Sequence, residues 1–325
     1  MHLLWVTGLL GAWFVLCLPS VLAAQEHWSE TAMAAKAARE ACHYDEATAL
    51  YFQALKEAES FGEDDPRLTA TLRDLADCLT QHDKNYVLAE QLLKREQRIL
   101  RRLGPDFRGL VAGMDLLGRV YYNQGKYKDA EQLYQDALKI CPEVGGPTNR
   151  NWRQEMLAHL GQCYQGDCKY DLAEHYLKGA LAAAQAKNAG AKSLYWPCRN
   201  LARLYYDMHR YDDSLFYLNH CLAVSGPNSY NFLQLGEIYA AQEKDKEALK
   251  YFRQAAVLAR QDTNGADDLL QALYPSLAKQ ELALGNHAEA AAAASEALTM
   301  AKRRKETALV KEISDFLATN NRQIH

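Results

Sequence analysis

The sequence predicts an all-α protein of about seven helical hairpins and a final capping helix, with no strand. One phrase recurs seven times between Ala47 and Ala290: a small residue eight or nine places before a turn, an aromatic in the turn, and an alanine or serine shortly after. Aligned on Ala47, Ala89, Ala130, Ala173, Ser214, Ala248 and Ala290, the copies lie 42, 41, 43, 41, 34 and 42 residues apart. Sheet-like alternation of apolar and polar residues is scarce. At 325 residues the chain exceeds a typical single core, but stacked units that contact only their neighbours need none.

The first element is a leader. Residues 1–25 contain no Asp, Glu, Lys or Arg, and Leu3 to Leu18 is apolar until Pro19-Ser20 interrupts it. Val21-Leu22-Ala23 then supplies the small-x-small pattern that a signal peptidase accepts. Residues 1–23 are therefore expected to act as a signal peptide, with an exported protein, periplasmic or secreted, as the product. The alternative is a membrane anchor through residues 3–23, since a basic n-region is missing. In either case the membrane is reached only through this segment.

The repeats occupy residues 29–302. In the clearest copy Gly118 and Ala130 are small enough for two antiparallel helices to approach, and Tyr121, Tyr127 and Tyr134 fill the surrounding space. Gly125 suits a left-handed cap and Pro142 a helix stop. Other copies depart from this pattern. Cys42, Cys168 and His209 replace the turn glycine, Ser214 replaces alanine, Asp77 stands near a position for a small residue, and one extra residue lies within Gln81 to Tyr86. The alanine-rich stretch after His287 makes a thin helix for close stacking. Residues 303–325 are read as a capping helix and tail, with Leu309, Ile313, Phe316 and Leu317 as the apolar face and Lys302 to Lys305 as a basic start.

These residues resemble the tetratricopeptide repeat, whose basic helix-turn-helix unit is 34 residues long. The longer spacings are similar to the 42-residue kinesin-light-chain-like form. The resemblance implies one right-handed superhelical solenoid with a concave surface built from the first helix of each hairpin. On that surface it places Asp115, Arg119, Tyr122 and Asn123, then Glu155, Ala158, Gln162 and Gln165, then Trp196, Arg199, Arg203, Tyr206 and Asp207, and finally Tyr230, Leu233 and Glu237. Arg199 and Arg203 are one turn apart and suited to receive carboxylates, while Gln162 and Asn123 suit a peptide backbone. Trp196, Tyr122 and Tyr206 offer rigid apolar contact. Asp115 departs from a carboxylate clamp, which would want a cation there, and the arginines could instead pair with Asp207 or Asp115.

Composition narrows the function. A net charge of −4 disfavours nucleic-acid binding. No nucleophile elbow, P-loop, H-E-x-x-H or dinucleotide glycine pattern occurs, so an enzyme, a cofactor and a metal site are not expected. Seven cysteines follow the leader, an odd number, and are read mainly as small buried residues, with Cys198 and Cys221 as the pair placed to form any disulfide. The favoured function is a non-catalytic adaptor whose groove binds a protein or peptide, through a carboxylate among other groups. The alternative is a structural subunit of an envelope complex that uses its convex face or ends.

Overall fold

The computed structural model describes residues 25–104, 107–141, 152–186, 191–261, 267–303 and 306–324; the predicted leader lies outside them. Among the described residues there is no strand, and no helix is long and apolar enough to cross a membrane. A first helix, α1, runs through residues 25–40. It is followed by α2 (Tyr44–Glu59), α3 (Pro66–Cys78), α4 (Tyr86–Leu103), α5 (Phe107–Asn123), α6 (Tyr127–Ile140) and α7 (Trp152–Gly166). Then come α8 (Tyr170–Ala186), α9 (Tyr195–Asp207), α10 (Tyr211–Ser225), α11 (Ser229–Ala241), α12 (Asp245–Gln261), α13 (Asp267–Ala283), α14 (His287–Arg303) and α15 (Thr307–Ile324). The chain divides after Asp167 into two compact units, the first ending with α7 and the second beginning with α8.

Each helix pair is closed by one local device. Cys42, Lys84, Gly125, Cys168, His209, Glu243 and Gly285 all take the left-handed backbone conformation, with φ between 51° and 77°. Five residues after each comes Ala47, Ala89, Ala130, Ala173, Ser214, Ala248 or Ala290, and every one of these is fully buried. Glycine adopts that conformation without strain, yet only Gly125 and Gly285 are glycines. The sequence pointed to Cys42, Cys168 and His209 as stand-ins; Lys84 and Glu243 are two it did not mark. The extra residue of the second copy is absorbed as a π-turn over Leu79–Asp83, where the Asn85 N–H reaches back to the Leu79 carbonyl at 3.0 Å. Because of that turn the small residue of the second copy is Ala76, fully buried, and not its neighbour Asp77.

A second regularity governs packing. Sixteen residues separate Ala35 from Tyr51, Gly118 from Tyr134, Ala202 from Leu218 and Gly236 from Phe252, and the π-turn makes it 17 between Ala76 and Leu93. All are buried in the first unit or the second, each pair setting a small residue on one helix against a bulky one on the next. A Cβ added to Gly118 would lie 2.5 Å from the Tyr134 ring, and one added to Gly236 would lie 2.5 Å from Phe252. Neither position has room for a methyl group.

Within the first unit, the second helix of one pair is tied to the first helix of the next through a carboxylate. Glu90 on α4 accepts from the Tyr121 hydroxyl at 3.3 Å and lies 3.4 Å from Lys126. Glu131 on α6 accepts from Tyr164 at 2.7 Å. The second unit repeats the tie with Glu174 on α8, which accepts from Tyr205 at 2.8 Å and from Arg210 at 3.3 Å. Further along, Leu215 and Leu249 take the place of the glutamate, and Tyr239 of α11 stacks on Tyr251 of α12 at 5.4 Å, within one pair. At α13 the charges exchange places: Arg253 on α12 donates to both carboxylate oxygens of Glu281 at 2.8 and 2.9 Å.

One expectation changes. The basic run does not open the last helix: Lys302 and Arg303 close α14, where cations favour the C-terminal dipole, and α15 starts at Thr307. The apolar face of α15 packs Ile313, Leu309, Phe316 and Leu317 against the cluster formed by α12 to α14. The seven cysteines among the described residues are free thiols, five of them buried. Cys198 and Cys221 share one buried cluster, where burial pushes the Cys221 thiol up to about 12.

A buried acid joins α3, α4 and α5. Glu96 is fully buried, accepts from Arg73 Nε at 2.6 Å, and has a second oxygen without a partner, facing the space left by Gly113. Burial raises its pKa from 4.5 to about 7, with Arg73 opposing the rise and Asp74 adding to it. The folded state therefore holds a proton that the unfolded chain releases, and stability present below pH 4.5 is lost as pH rises toward 7. Up to about 3 kcal/mol is at stake. Thermal melts at about pH 5 and about pH 7.5 should show the lower midpoint at the higher pH, with Glu96→Gln reducing the difference. An unchanged difference in the variant would contradict this role.

Candidate functional site

The residues expected to bind a partner lie on first helices, in both units. In the first unit Arg119 is half-buried on α5 and 3.9 Å from Asp77 on α3, which also holds Arg39 of α1 at 3.0 Å. An arginine–carboxylate–arginine ladder thus crosses three successive first helices. Tyr122 is half-buried and meets Tyr127 edge-on at 5.4 Å, and Asn123 is exposed at the end of α5. Gln162 is half-buried on α7. Asp115 corrects the reading that put it on the open surface: it is buried, with His159 Nδ1 of α7 2.7 Å from its Oδ1. It faces the neighbouring first helix and not solvent.

In the second unit the two arginines differ. Arg203 lies 3.3 Å from Asp207 and 3.4 Å from Glu237 of α11, and its guanidinium covers the Tyr206 ring at 5.4 Å. Burial pushes the Glu237 carboxyl up while Arg203 holds it down. Two carboxylates already occupy Arg203. Arg199, one turn earlier, has no carboxylate partner among the described residues. Its guanidinium carbon lies over two rings, 5.2 Å from the centre of Trp196 and 5.1 Å from that of Tyr230 on α11. Trp196 is 60% exposed and Tyr230 43% exposed.

These contacts set Arg199 chemically apart. Two aromatic rings attract the guanidinium by cation–π interaction, which leaves its N–H groups to donate in the plane of the fork. Tyr195 supports α9 from below by bonding Asn231 Oδ1 at 3.2 Å. Tyr206 is half-buried and packs into the core beside Tyr211, so of the three aromatics expected at the surface Trp196 is the most open. The sequence placed Tyr230 on this surface but gave no sign that it covers Arg199, because the partners lie 31 residues apart on different helices.

The helix pairs define a class of protein that comparison with known proteins makes specific. Two tetratricopeptide repeat models match, over residues 71–143 and 232–266. A tetratricopeptide repeat protein from Parabacteroides merdae is similar in structure with a TM-score of 0.60 at 16% identity, covering 89% of this chain and 99% of that one. Aspartyl phosphate phosphatase F from Bacillus subtilis has a TM-score of 0.63 at 15% identity, covering 86% of this chain and 71% of its own. The TPR-like repeats named for a kinesin light chain of Podosopora anserina give 0.50 at 19% identity, covering 61% of this chain and 94% of theirs. None of the curated proteins matches. Residues 71–143 and 232–266 are thus tetratricopeptide repeats, and at these identities the structural likeness speaks for the fold alone.

Proposed function

We propose that the protein is an exported, non-catalytic interaction scaffold that holds a segment of a protein partner on the first-helix face of its second unit. The observation that carries this is Arg199, a guanidinium over the exposed rings of Trp196 and Tyr230 with no carboxylate partner among the described residues. A partner carboxylate would meet its free edges, and an adjacent apolar side chain would lie on the open face of Trp196. Arg203, held by Asp207 and Glu237, positions α9 against α11 and leaves the charge recognition to Arg199. Export is supported by the uncharged leader and the Val21-Leu22-Ala23 pattern after Pro19-Ser20.

A second reading, a structural subunit of an envelope complex, is supported by Phe216 on α10 and Val257 on α12, exposed at 57% and 54% on second helices. The two readings separate in one experiment. Partners captured by the mature chain from the envelope fraction of its source are titrated calorimetrically against the chain and against Arg199→Ala. The substitution should weaken binding by about 1.5–3 kcal/mol, roughly 10- to 150-fold, with an unchanged melt. Unchanged affinity together with an unchanged melt would remove the Arg199 site and favour the second-helix reading.

Processing has its own test. Amino-terminal sequencing of protein from the producing cell should find Ala24 or Gln25 first. Intact Met1 recovered in a membrane fraction would establish the anchor in its place.

A further inference from the structure

The small–bulky rule fails in one helix pair. At the spacing that opposes Gly236 with Phe252 and Ala202 with Leu218, α13 and α14 carry Ala278 and Ala294, and both sides are small. At the place of the missing side chain lies a half-open cleft of about 240 Å³, its apolar wall made by Pro275, Ala278, Ala294, Ala297, Ile313 and Phe316, with Ser276, Lys279 and Glu312 completing the lining. Two features keep the neighbours from closing it. Pro275 inside α13 deprives that helix of one backbone hydrogen bond, and α15 covers the space with its own side chains at Ile313 and Phe316.

We propose that this cleft is a binding site for a small neutral aromatic molecule, a monocyclic hydrocarbon-like ligand that fills the place of the absent ring. Size supports the assignment: an apolar cavity of about 150 Å³ stays dry and takes up benzene. Register supports it too, because the corresponding position holds Phe252 or Tyr134 in other pairs. The rim decides between neutral and charged ligands. Lys279 and Glu312 both border the cleft, and neither has an ion-pair partner among the described residues. With one charge of each sign in the lining, the cleft offers no net charge that would select an anion or a cation over a neutral ligand. The site is independent of Arg199.

The full chain is titrated with toluene and, separately, with phenylacetate, following backbone amide shifts and the thermal midpoint. Toluene should shift amides of α13 to α15 saturably and raise the midpoint, with phenylacetate binding more weakly. Ala294→Leu restores the bulky partner, so it should melt above the wild type without ligand and lose at least about tenfold in toluene affinity. Ala294→Val, a smaller filling, serves if the leucine is too large to fold, and should show the same loss in lesser degree. Absence of any saturable shift in the wild type, or equal toluene binding in a folded filled variant, would overturn the site. Tighter binding of phenylacetate than of toluene would overturn its assignment to a neutral ligand.

Discussion

The contact between a small residue on one helix and a ring or leucine on the next sets the spacing of the helix pairs, and the rest of the structure follows from it. Gly118 and Gly236 sit so close to Tyr134 and Phe252 that one added carbon has no place to go. At that separation the second small residue, from Ala47 through Ala290, is also forced out of solvent. The turn bridges this gap in one way, a left-handed residue preceding the small one by five positions in every pair, and α13 and α14 keep it although their bulky partner is missing. Non-glycine residues in that conformation are strained by about 1 kcal/mol or more. Cys42, Lys84, Cys168, His209 and Glu243 are held there by the helices on either side.

Much of this was legible because it is local. Small residues, turn aromatics and their separation are properties of a short window, and Ala47, Ala130 and Ser214 could be picked from spacing alone. The π-turn was visible as one residue too many between Gln81 and Tyr86, although the sequence gave no hint that Ala76 would replace Asp77 in the packing. Lys84 and Glu243 escaped notice because their side chains carry no preference for the conformation the turn imposes.

The candidate site was less legible, for a different reason. Its properties arise between helices 30 to 40 residues apart, where a register error of one position exchanges a buried face for an exposed one. Arg199 and Arg203 read as equivalents on one helical face. Glu237, from the next first helix, makes them different, and so does Tyr230. Asp115 read as an exposed acid and is buried beside His159 for the same reason. Where a first-helix arginine is matched by a carboxylate, as Arg119 is by Asp77, it bridges successive pairs; Arg199 is matched only by rings among the described residues.

A double-mutant cycle at Gly236 and Phe252 tests the packing constraint most directly. Gly236→Ala should destabilise by about 1–3 kcal/mol through overpacking, and Phe252→Leu should cost a comparable amount through lost contact. Because leucine does not reach the added methyl group, the double variant should be more stable than the sum of the two losses by more than about 1 kcal/mol. Additive losses, or a Gly236→Ala protein as stable as the wild type in chemical denaturation, would contradict the claim that this contact sets the spacing of the helices.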